Sequence, residues 1–258
     1  MADLAAKTAI VTGGGSGLGR AIALAFAREG ARVVVSGRRL AALEETAATA
    51  RRDGYSGRVS CIPADLTSEP EREMLIQRSA ASLGGVDVLV NSAGILVAGG
   101  VESTDLESWD RTMEINLRSV FDLTRRAAPH LCLRRGNIIN ISSVAGPRPY
   151  PGLIAYCVSK AAVDQLTRCI ALDLAPKGVR ANAINPGVVV TDLHRAGGMP
   201  EADYARFLEK SVTTHPLGRV GSPQDVAELA LFLASGRAGW ITGGTFSVDG
   251  GRALASAR

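Results

Sequence analysis

The sequence has 258 residues, of which 46% are hydrophobic and 21% are charged, and such a chain can bury a full hydrophobic core. A chain of this composition is expected to be neither intrinsically disordered nor a coiled coil. The formal net charge of +4 is small, so it does not indicate a partner such as nucleic acid or anionic lipid.

Short β-branched runs alternate with longer segments of helical periodicity almost to the end of the chain. This alternation predicts parallel strands that are joined by helical crossovers. The predicted strands are residues 8–12, 32–36, 59–63, 86–91, 137–142, 179–185 and 246–249. The predicted helices are residues 18–28, 40–52, 69–83, 105–133, 154–174 and 223–234.

Between the sixth and seventh strands, residues 192–216 are expected to form an irregular, mobile segment. No internal repeat or Pro-, Gly- and Ser-rich linker divides the chain, so residues 1–258 are expected to form one domain that includes the substrate pocket. The pattern predicts an α/β fold, with a doubly wound, mostly parallel seven-stranded sheet and helices on both faces. Ligands of such sheets bind at the carboxyl ends of the strands, near the point where the strand order reverses.

A glycine-rich loop, TGGGSGLG at residues 12–19, follows the first strand and opens directly into a helix. Glycine lets the backbone turn sharply and approach a pyrophosphate without a Cβ atom in the way. The N-terminus of the following helix then offers free N–H groups and a positive dipole end. A flexible turn is the alternative interpretation, but the strand before the loop and the helix after it favour nucleotide binding.

The end of the second strand bears on which dinucleotide binds. A carboxylate at this position would bind the adenosine ribose hydroxyls and favour NAD. Here the sequence has Gly37 and Arg38, and no acidic residue occurs before Glu44. Because a guanidinium group can bind a 2′-phosphate through two hydrogen bonds, we expect NADP(H) to be preferred, with NAD(H) possible. Alternatively, Arg38 and Arg39 are only the solvated start of a helix.

Tyr156 and Lys160 lie four residues apart at the start of the helix that follows the fifth strand, so they share one helix face. A phenol with a pKa near 10 is a poor base at neutral pH. A neighbouring ammonium and the positive charge of an oxidised nicotinamide are expected to lower that pKa, so that Tyr156 can exchange a proton with a carbonyl or alcohol oxygen. Ser143, just past the fifth strand, is expected to donate a hydrogen bond to the same oxygen.

These motifs, in this order, resemble the short-chain dehydrogenase/reductase family with a Y-x-x-x-K active site. The resemblance covers essentially the whole chain and implies a Rossmann fold, a homotetramer and reactions that need no metal. It implies a catalytic set of Asn116, Ser143, Tyr156 and Lys160. It also implies cofactor contacts by Gly13, Gly15, Ser16, Gly17, Leu18, Gly19, Arg38, Asp65, Leu66, Asn91, Ala93, Gly94, Tyr156, Lys160, Pro186, Gly187, Val189 and Thr191.

The resemblance also assigns roles within these sets. Asp65 and Leu66 would meet the adenine, and residues 91–94 would form the floor under the adenosine ribose. Asn116 would hold a water that links Lys160 to solvent, and residues 186–191 would hold the nicotinamide amide and the pyrophosphate. The family commonly has a second asparagine where this chain has Ser92, which is expected to matter little.

The family resemblance implies an oxidoreductase that interconverts a ketone or aldehyde and an alcohol. The specific candidate is a 3-oxoacyl-carrier-protein reductase, and the alternatives are a sugar or polyol dehydrogenase and a steroid-type alcohol dehydrogenase. A non-catalytic dinucleotide sensor is a further alternative, but such a protein would keep the glycine loop and lose the Tyr156–Lys160 pair.

Several residues keep more than one interpretation from sequence alone. His194 could contact substrate, or it could have no functional role in the mobile segment. Tyr150 and Leu153 could contact substrate or pack in the core. The Arg125–Arg126 and Arg134–Arg135 pairs could dock an acidic carrier protein or be ordinary surface charges.

The four cysteines indicate neither a disulfide nor a metal site. They show no C-x-x-C pairing and no histidine at metal-ligand spacing. The N-terminus has no separate apolar signal segment, and no apolar run approaches the roughly 18 residues of a membrane span. We therefore expect a cytoplasmic protein with a small-molecule substrate and no nucleic-acid or membrane partner.

Overall fold

A computed structural model describes residues 3–55 and 57–255 of the chain. Its centre is one seven-stranded sheet in the order β3-β2-β1-β4-β5-β6-β7, in which every neighbouring pair is parallel. The strands are β1 (Thr8–Thr12), β2 (Arg32–Gly37), β3 (Val59–Pro63), β4 (Val88–Asn91), β5 (Asn137–Ile141), β6 (Arg180–Pro186) and β7 (Thr245–Val248). The order reverses between β1 and β4, so the predicted doubly wound sheet is confirmed.

Helices cover both faces of the sheet. They are α1 (Gly17–Arg28), α2 (Leu40–Arg52), α3 (Glu69–Leu83), α4 (Leu106–Met113), α5 (Ser119–Arg134), α6 (Ile154–Leu174), α7 (Leu193–Ala196), α8 (Glu201–Thr214) and α9 (Pro223–Ala234). No helix within residues 3–55 and 57–255 combines the length and the apolar character that a membrane crossing requires.

The sheet separates two hydrophobic cores because successive strand residues point to opposite faces. Val33 and Val35 of β2 pack with α1, α2 and α9, whereas Val34 packs with α3, α5 and α6. A strand that is buried on both faces must be apolar almost throughout, which explains the continuous apolar runs of the sequence.

The expectation that residues 192–216 are irregular was wrong, because they form α7 and α8. Pro200 precedes α8, and Glu201 and Asp203 in its first turn interact favourably with the helix dipole. Tyr204 and Ser211, seven residues apart on one face, are buried against the rest of the protein. This face holds the segment in place over the carboxyl ends of the strands.

The single long helix that was predicted for residues 105–133 is interrupted. A five-residue π-helical turn, Glu114–Arg118, joins α4 to α5 and carries Asn116. The Asn116 side chain bonds both backbone groups of Ile95, with its oxygen 2.9 Å from the amide and its nitrogen 2.9 Å from the carbonyl. Such single π turns are frequent at functional sites.

Candidate active site

A cavity of about 650 Å³ lies along the carboxyl ends of the strands and extends from the glycine loop to α6, α7 and α8. Of the catalytic and cofactor residues that the sequence predicts, all but Asn91 and Asn116 line this cavity. The predicted loop, the end of β2, the Tyr156–Lys160 pair and the strip after β6 therefore face one continuous space.

The glycine loop has the geometry that close approach to a phosphate requires. Gly13 and Gly17 adopt left-handed backbone angles, with φ of +67° and +51°. A Cβ atom on Gly19 would lie 2.4 Å from the Gly13 carbonyl oxygen, so this position excludes any side chain. Since the first N–H groups of a helix have no partner within the helix, the start of α1 can bind an anion.

Two residues that were not predicted from the sequence stabilise this loop by hydrogen bonds. Arg20 donates to the Gly15 carbonyl at 2.7 Å, and Thr46 donates to the Gly14 carbonyl at 2.9 Å. Arg20 also donates to the Thr46 hydroxyl at 3.1 Å. No sequence pattern marks these contacts, because they join α1 and α2 through the fold.

The end of β2 leaves room for the adenosine ribose. Gly37 and Arg38 line the cavity, and Arg38 forms no ion pair with any residue that the structure describes. Asp65, at the end of β3, also lines the cavity and accepts hydrogen bonds from the Thr67 amide and hydroxyl, both at 2.9 Å. These bonds lower the pKa of Asp65, with a smaller contribution from the Arg38 charge.

The predicted catalytic residues Ser143, Tyr156 and Lys160 lie together and are buried. The Lys160 ammonium is 5.6 Å from the centroid of the Tyr156 ring and donates to the Ile141 carbonyl at 2.9 Å. The Ser143 hydroxyl accepts from the Ala145 amide at 3.1 Å, so its proton remains free to donate. Two elements therefore position the three groups: Ser143 follows the end of β5, and Tyr156 and Lys160 both belong to α6.

In the cofactor-free protein, burial controls the protonation of this cluster. It raises the pKa of Tyr156 to about 12, against the opposing effect of the Ser143 hydroxyl. Burial also lowers the pKa of Lys160 to about 8, against the charge of Asp164. Lys160 alone does not lower the Tyr156 pKa below its ordinary value, because the removal of a phenolate from water dominates. The expected lowering in the presence of an oxidised nicotinamide stays a prediction. At neutral pH Tyr156 is a phenol, and Lys160 is mostly an ammonium.

Asn116 and Asn91 lie behind the cavity wall. The Asn116 amide also donates to Ser159 at 3.1 Å, so both of its N–H donors are used in joining the π turn to α6 and to Ile95. The Asn91 amide donates to the Asn140 side chain at 2.9 Å, and this bond links the end of β4 to β5. Direct contact between the Asn91 side chain and a ligand does not fit this position.

The strip after β6, residues 186–191, is anchored by two residues of the segment that was expected to be irregular. The Tyr204 hydroxyl donates to the Thr191 carbonyl at 2.9 Å, and His215 accepts from the Val188 amide at 3.2 Å. His215 is buried, and its other ring nitrogen lies 2.6 Å from the Ser211 carbonyl. The helical spacing of Tyr204, Phe207 and Ser211 is a signal that could have identified this anchor.

The other end of the cavity, beyond Tyr156, has mostly apolar walls. They include Leu96, Ala145, Leu153, Met199 and Phe207. Tyr150 and Leu153 pack against the small core cluster that contains Tyr156, so the core interpretation is confirmed. Both residues also line the cavity, and their contact with substrate stays a prediction.

The structure also shows where His194 and the Arg125–Arg126 pair lie, whose roles the sequence left undecided. His194 lines the cavity and contacts the Phe207 ring, with 4.6 Å between ring centroids. Arg125 and Arg126 form ion pairs with Asp122 within the same helix, at 2.7 and 3.0 Å. Among the described residues, no group of three or more His, Cys, Asp or Glu side chains is arranged to hold a metal ion.

Comparison with known proteins gives consistent matches over nearly the whole chain. Residues 13–253 match the family model described as enoyl-(acyl carrier protein) reductase. The chain is 40% identical to 3beta-hydroxysteroid dehydrogenase 1 of Eggerthella lenta, over 98% of this chain and 95% of that protein. It is 34% identical to the 3-oxoacyl-(acyl-carrier-protein) reductase FabG of Thermotoga maritima, over 96% of this chain and 98% of that protein.

A solved structure supports the same relationship. A short-chain dehydrogenase/reductase of unknown function from Caenorhabditis elegans, crystallised with cofactor, superposes with a TM-score of 0.95 and 36% identity. The match covers 99% of this chain and 98% of that chain.

Proposed function

Because the chain belongs to the short-chain dehydrogenase/reductase family, whose members are NAD(P)-dependent oxidoreductases acting on CH–OH groups, we propose that it reduces a ketone, or oxidises the corresponding secondary alcohol, with Tyr156 as the acid/base. One observation carries the proposal: Ser143, Tyr156 and Lys160 line the same cavity as the glycine loop.

A bound nicotinamide cofactor supplies or accepts the hydride in this chemistry. The cavity suits such a cofactor, because an anion-binding helix terminus lies at one end and a phenol lies further along the same space. In carbonyl reduction, Tyr156 is protonated at neutral pH and donates its proton to the substrate oxygen. Ser143 donates a hydrogen bond to that oxygen, and the Lys160 charge stabilises the phenolate that remains.

The apolar end of the cavity favours a substrate with an apolar body over a sugar or polyol. Leu96, Ala145, Leu153, Met199 and Phe207 present no hydrogen-bonding side-chain groups to a hydroxyl-rich ligand. The steroid relative and the 3-oxoacyl relative both fit this character by their names, and both substrate classes belong in the same assay. We expect cofactor consumption with a panel of apolar ketones and alcohols and little with sugars. Absence of turnover with every carbonyl compound and alcohol would contradict the proposed function.

We also propose a preference for NADP(H) that depends on Arg38. Replacing Arg38 with alanine should weaken NADPH binding by about tenfold, because it removes charge-assisted hydrogen bonds to the 2′-phosphate. NADH binding should change little, as NADH lacks that phosphate. Titration of both nucleotides by their fluorescence measures the two affinities.

The matched control for this experiment is Arg51→Ala, which removes an exposed arginine from the end of α2 away from the cavity. It should leave both affinities unchanged. Tighter binding of NADH than NADPH to the unmodified protein, or an unchanged NADPH affinity in the Arg38 variant, would reverse the proposed preference.

A homotetramer in the cytoplasm completes the proposal. Large apolar side chains of the two long helices face solvent in the single chain, among them Phe121 and Leu133 of α5 and Leu172 of α6. Exposed apolar residues on adjacent helices are typical of a surface that is covered in a symmetric assembly. Sedimentation should give a species of four chains, and Phe121→Asp should reduce its size, because a carboxylate would be buried without a partner.

Val101→Asp provides the control, since it places the same charge at another exposed apolar position, which lies in a turn. This variant should sediment as the unmodified protein does. A monomer at micromolar concentration, or an assembly that Phe121→Asp leaves intact, would contradict the proposed tetramer.

A further inference from the structure

The apolar end of the cavity carries one polar cluster, which is formed by Arg252, Tyr150 and His194. These residues come from three separate parts of the chain: the C-terminal turns after β7, the loop before α6, and α7. We call them the Arg252 cluster. None of the three belongs to the proposed proton-transfer group.

Arg252 is held in position from several sides. Its guanidinium lies 5.4 Å from the centroid of the Tyr150 ring and donates to the Thr214 hydroxyl at 2.9 Å. The Asp249 carboxylate fixes the turn by accepting from the amides of Gly251, at 3.0 Å, and Ala253, at 2.7 Å. The geometry therefore places a preorganised cation on the cavity wall.

No carboxylate within residues 3–55 and 57–255 forms an ion pair with Arg252. The acidic residue that lines the same end of the cavity, Asp192, instead pairs with Arg195 at 3.1 Å. The Arg252 guanidinium has five N–H donors in a fork that matches a carboxylate, and the Thr214 bond uses one of them.

Two buried polar atoms beside Arg252 have no hydrogen-bond partner among the described residues. They are the Tyr150 hydroxyl oxygen and the His194 Nδ1 atom. A buried polar atom without a partner is unfavourable, and such atoms in native proteins call for an explanation such as a ligand. Burial, and to a smaller extent the charge of Arg252, lower the pKa of His194, so a second positive charge beside Arg252 is disfavoured.

We propose that the Arg252 cluster binds a carboxylate of the substrate, so that the enzyme acts on an apolar keto acid or hydroxy acid whose carboxylate is remote from the reacting carbon. The Arg252 fork binds the carboxylate oxygens, and the Tyr150 hydroxyl can donate to the same group. The apolar residues that line the same cavity, such as Leu153, Met199 and Phe207, accommodate the hydrocarbon part. This inference rests on the proposed function and adds the substrate class to it.

The test compares methyl-ketone fatty acids of increasing chain length with their methyl esters, in which the carboxylate charge is removed and one methyl group is added. The unmodified enzyme should prefer the acid of the best-fitting length. Arg252→Gln should lower kcat/KM for that acid by about 10- to 100-fold, because it removes a hydrogen-bonded ion pair, while the value for the ester should change little. The loss should appear mainly in KM, since the carboxylate is bound equally in the ground state and the transition state.

Arg78→Gln is the matched control, because it neutralises an exposed arginine of α3 that does not line the cavity. Arg252→Lys should recover part of the preference for the acid. In a separate readout without turnover, octanoate should raise the melting temperature of the unmodified protein more than octanol does. Arg252→Gln should abolish that difference.

Equal turnover of acids and esters by the unmodified enzyme would overturn the inference, and so would an Arg252→Gln variant that slows both alike. In either case turnover of the ester still supports the proposed function. Failure of the proposed function gives a different result, namely no turnover of any ketone or alcohol with either cofactor.

Discussion

Replacing Tyr156 with phenylalanine should lower kcat by about 10²- to 10⁴-fold, which is the usual contribution of a positioned general acid. The substitution removes only the hydroxyl, and the ring can keep its packing against the core cluster that includes Leu96 and Ala145. Cofactor affinity, measured by nucleotide fluorescence, should therefore change little. The decisive pattern is a folded variant that binds nucleotide and does not turn over substrate.

Tyr55→Phe removes a hydroxyl from a tyrosine that does not line the cavity, and it should leave both quantities unchanged. A Tyr156→Phe enzyme that retained full turnover would refute the assigned proton donor. Loss of nucleotide binding together with turnover would instead indicate that the hydroxyl supports the structure of the site.

Replacing Lys160 with methionine should have the next largest effect. Ketone reduction by the unmodified enzyme should slow as the pH rises through about 8, because the buried ammonium loses its proton there. Lys160→Met lacks this charge at every pH. It should show a kcat/KM lower by about 10²-fold and without that decline, since kcat/KM reports the pKa values of the free enzyme.

The same variant should be more stable than the unmodified protein when no cofactor is present. The pKa of Lys160 falls from its ordinary value of 10.5 to about 8 on folding, so the charged form is disfavoured in the folded state. This penalty is fully present below pH 8 and disappears as the pH rises toward 10.5, where the unfolded chain also loses the proton. At pH 7 the gain in unfolding free energy should reach up to about 3 kcal/mol.

Lys177→Met, at an exposed lysine, is the control for both measurements. It should change neither the pH profile nor the melting temperature. A Lys160→Met enzyme that kept the decline above pH 8 would show that another group titrates there.

Much of the fold could be predicted because its signals are local. The bounds of α2, α3 and α6 agree with the sequence prediction, since each helix has a regular apolar spacing and clear end signals. The glycine loop and the Tyr156–Lys160 pair could also be read, because each motif lies within one turn or one helix face.

The features that sequence reasoning missed depend on contacts across the fold. A four-residue helix such as α7 has too few positions to show a period, and the π turn at Asn116 depends on Ile95, which is 21 residues away in the chain. The sequence shows that a lysine lies near Tyr156, but it does not show how deeply the Tyr156 hydroxyl is buried. That burial is what raises the pKa of Tyr156 in the cofactor-free protein.

The Arg252 cluster illustrates the same limit at the substrate end of the cavity. Tyr150 and Arg252 are about a hundred residues apart, and no spacing rule joins them. The distance between the Arg252 guanidinium and the Tyr150 ring becomes visible only when β7 has placed the following turns beside the loop that precedes α6.

A crystal structure of the protein with NADP⁺ tests the central claim most directly. We expect the Tyr156 hydroxyl and the Ser143 hydroxyl to lie within hydrogen-bond reach of one substrate oxygen position, next to C4 of the nicotinamide ring. A bound nicotinamide that lay away from Tyr156, or a Tyr156 hydroxyl that pointed out of the cavity, would contradict the proposed mechanism.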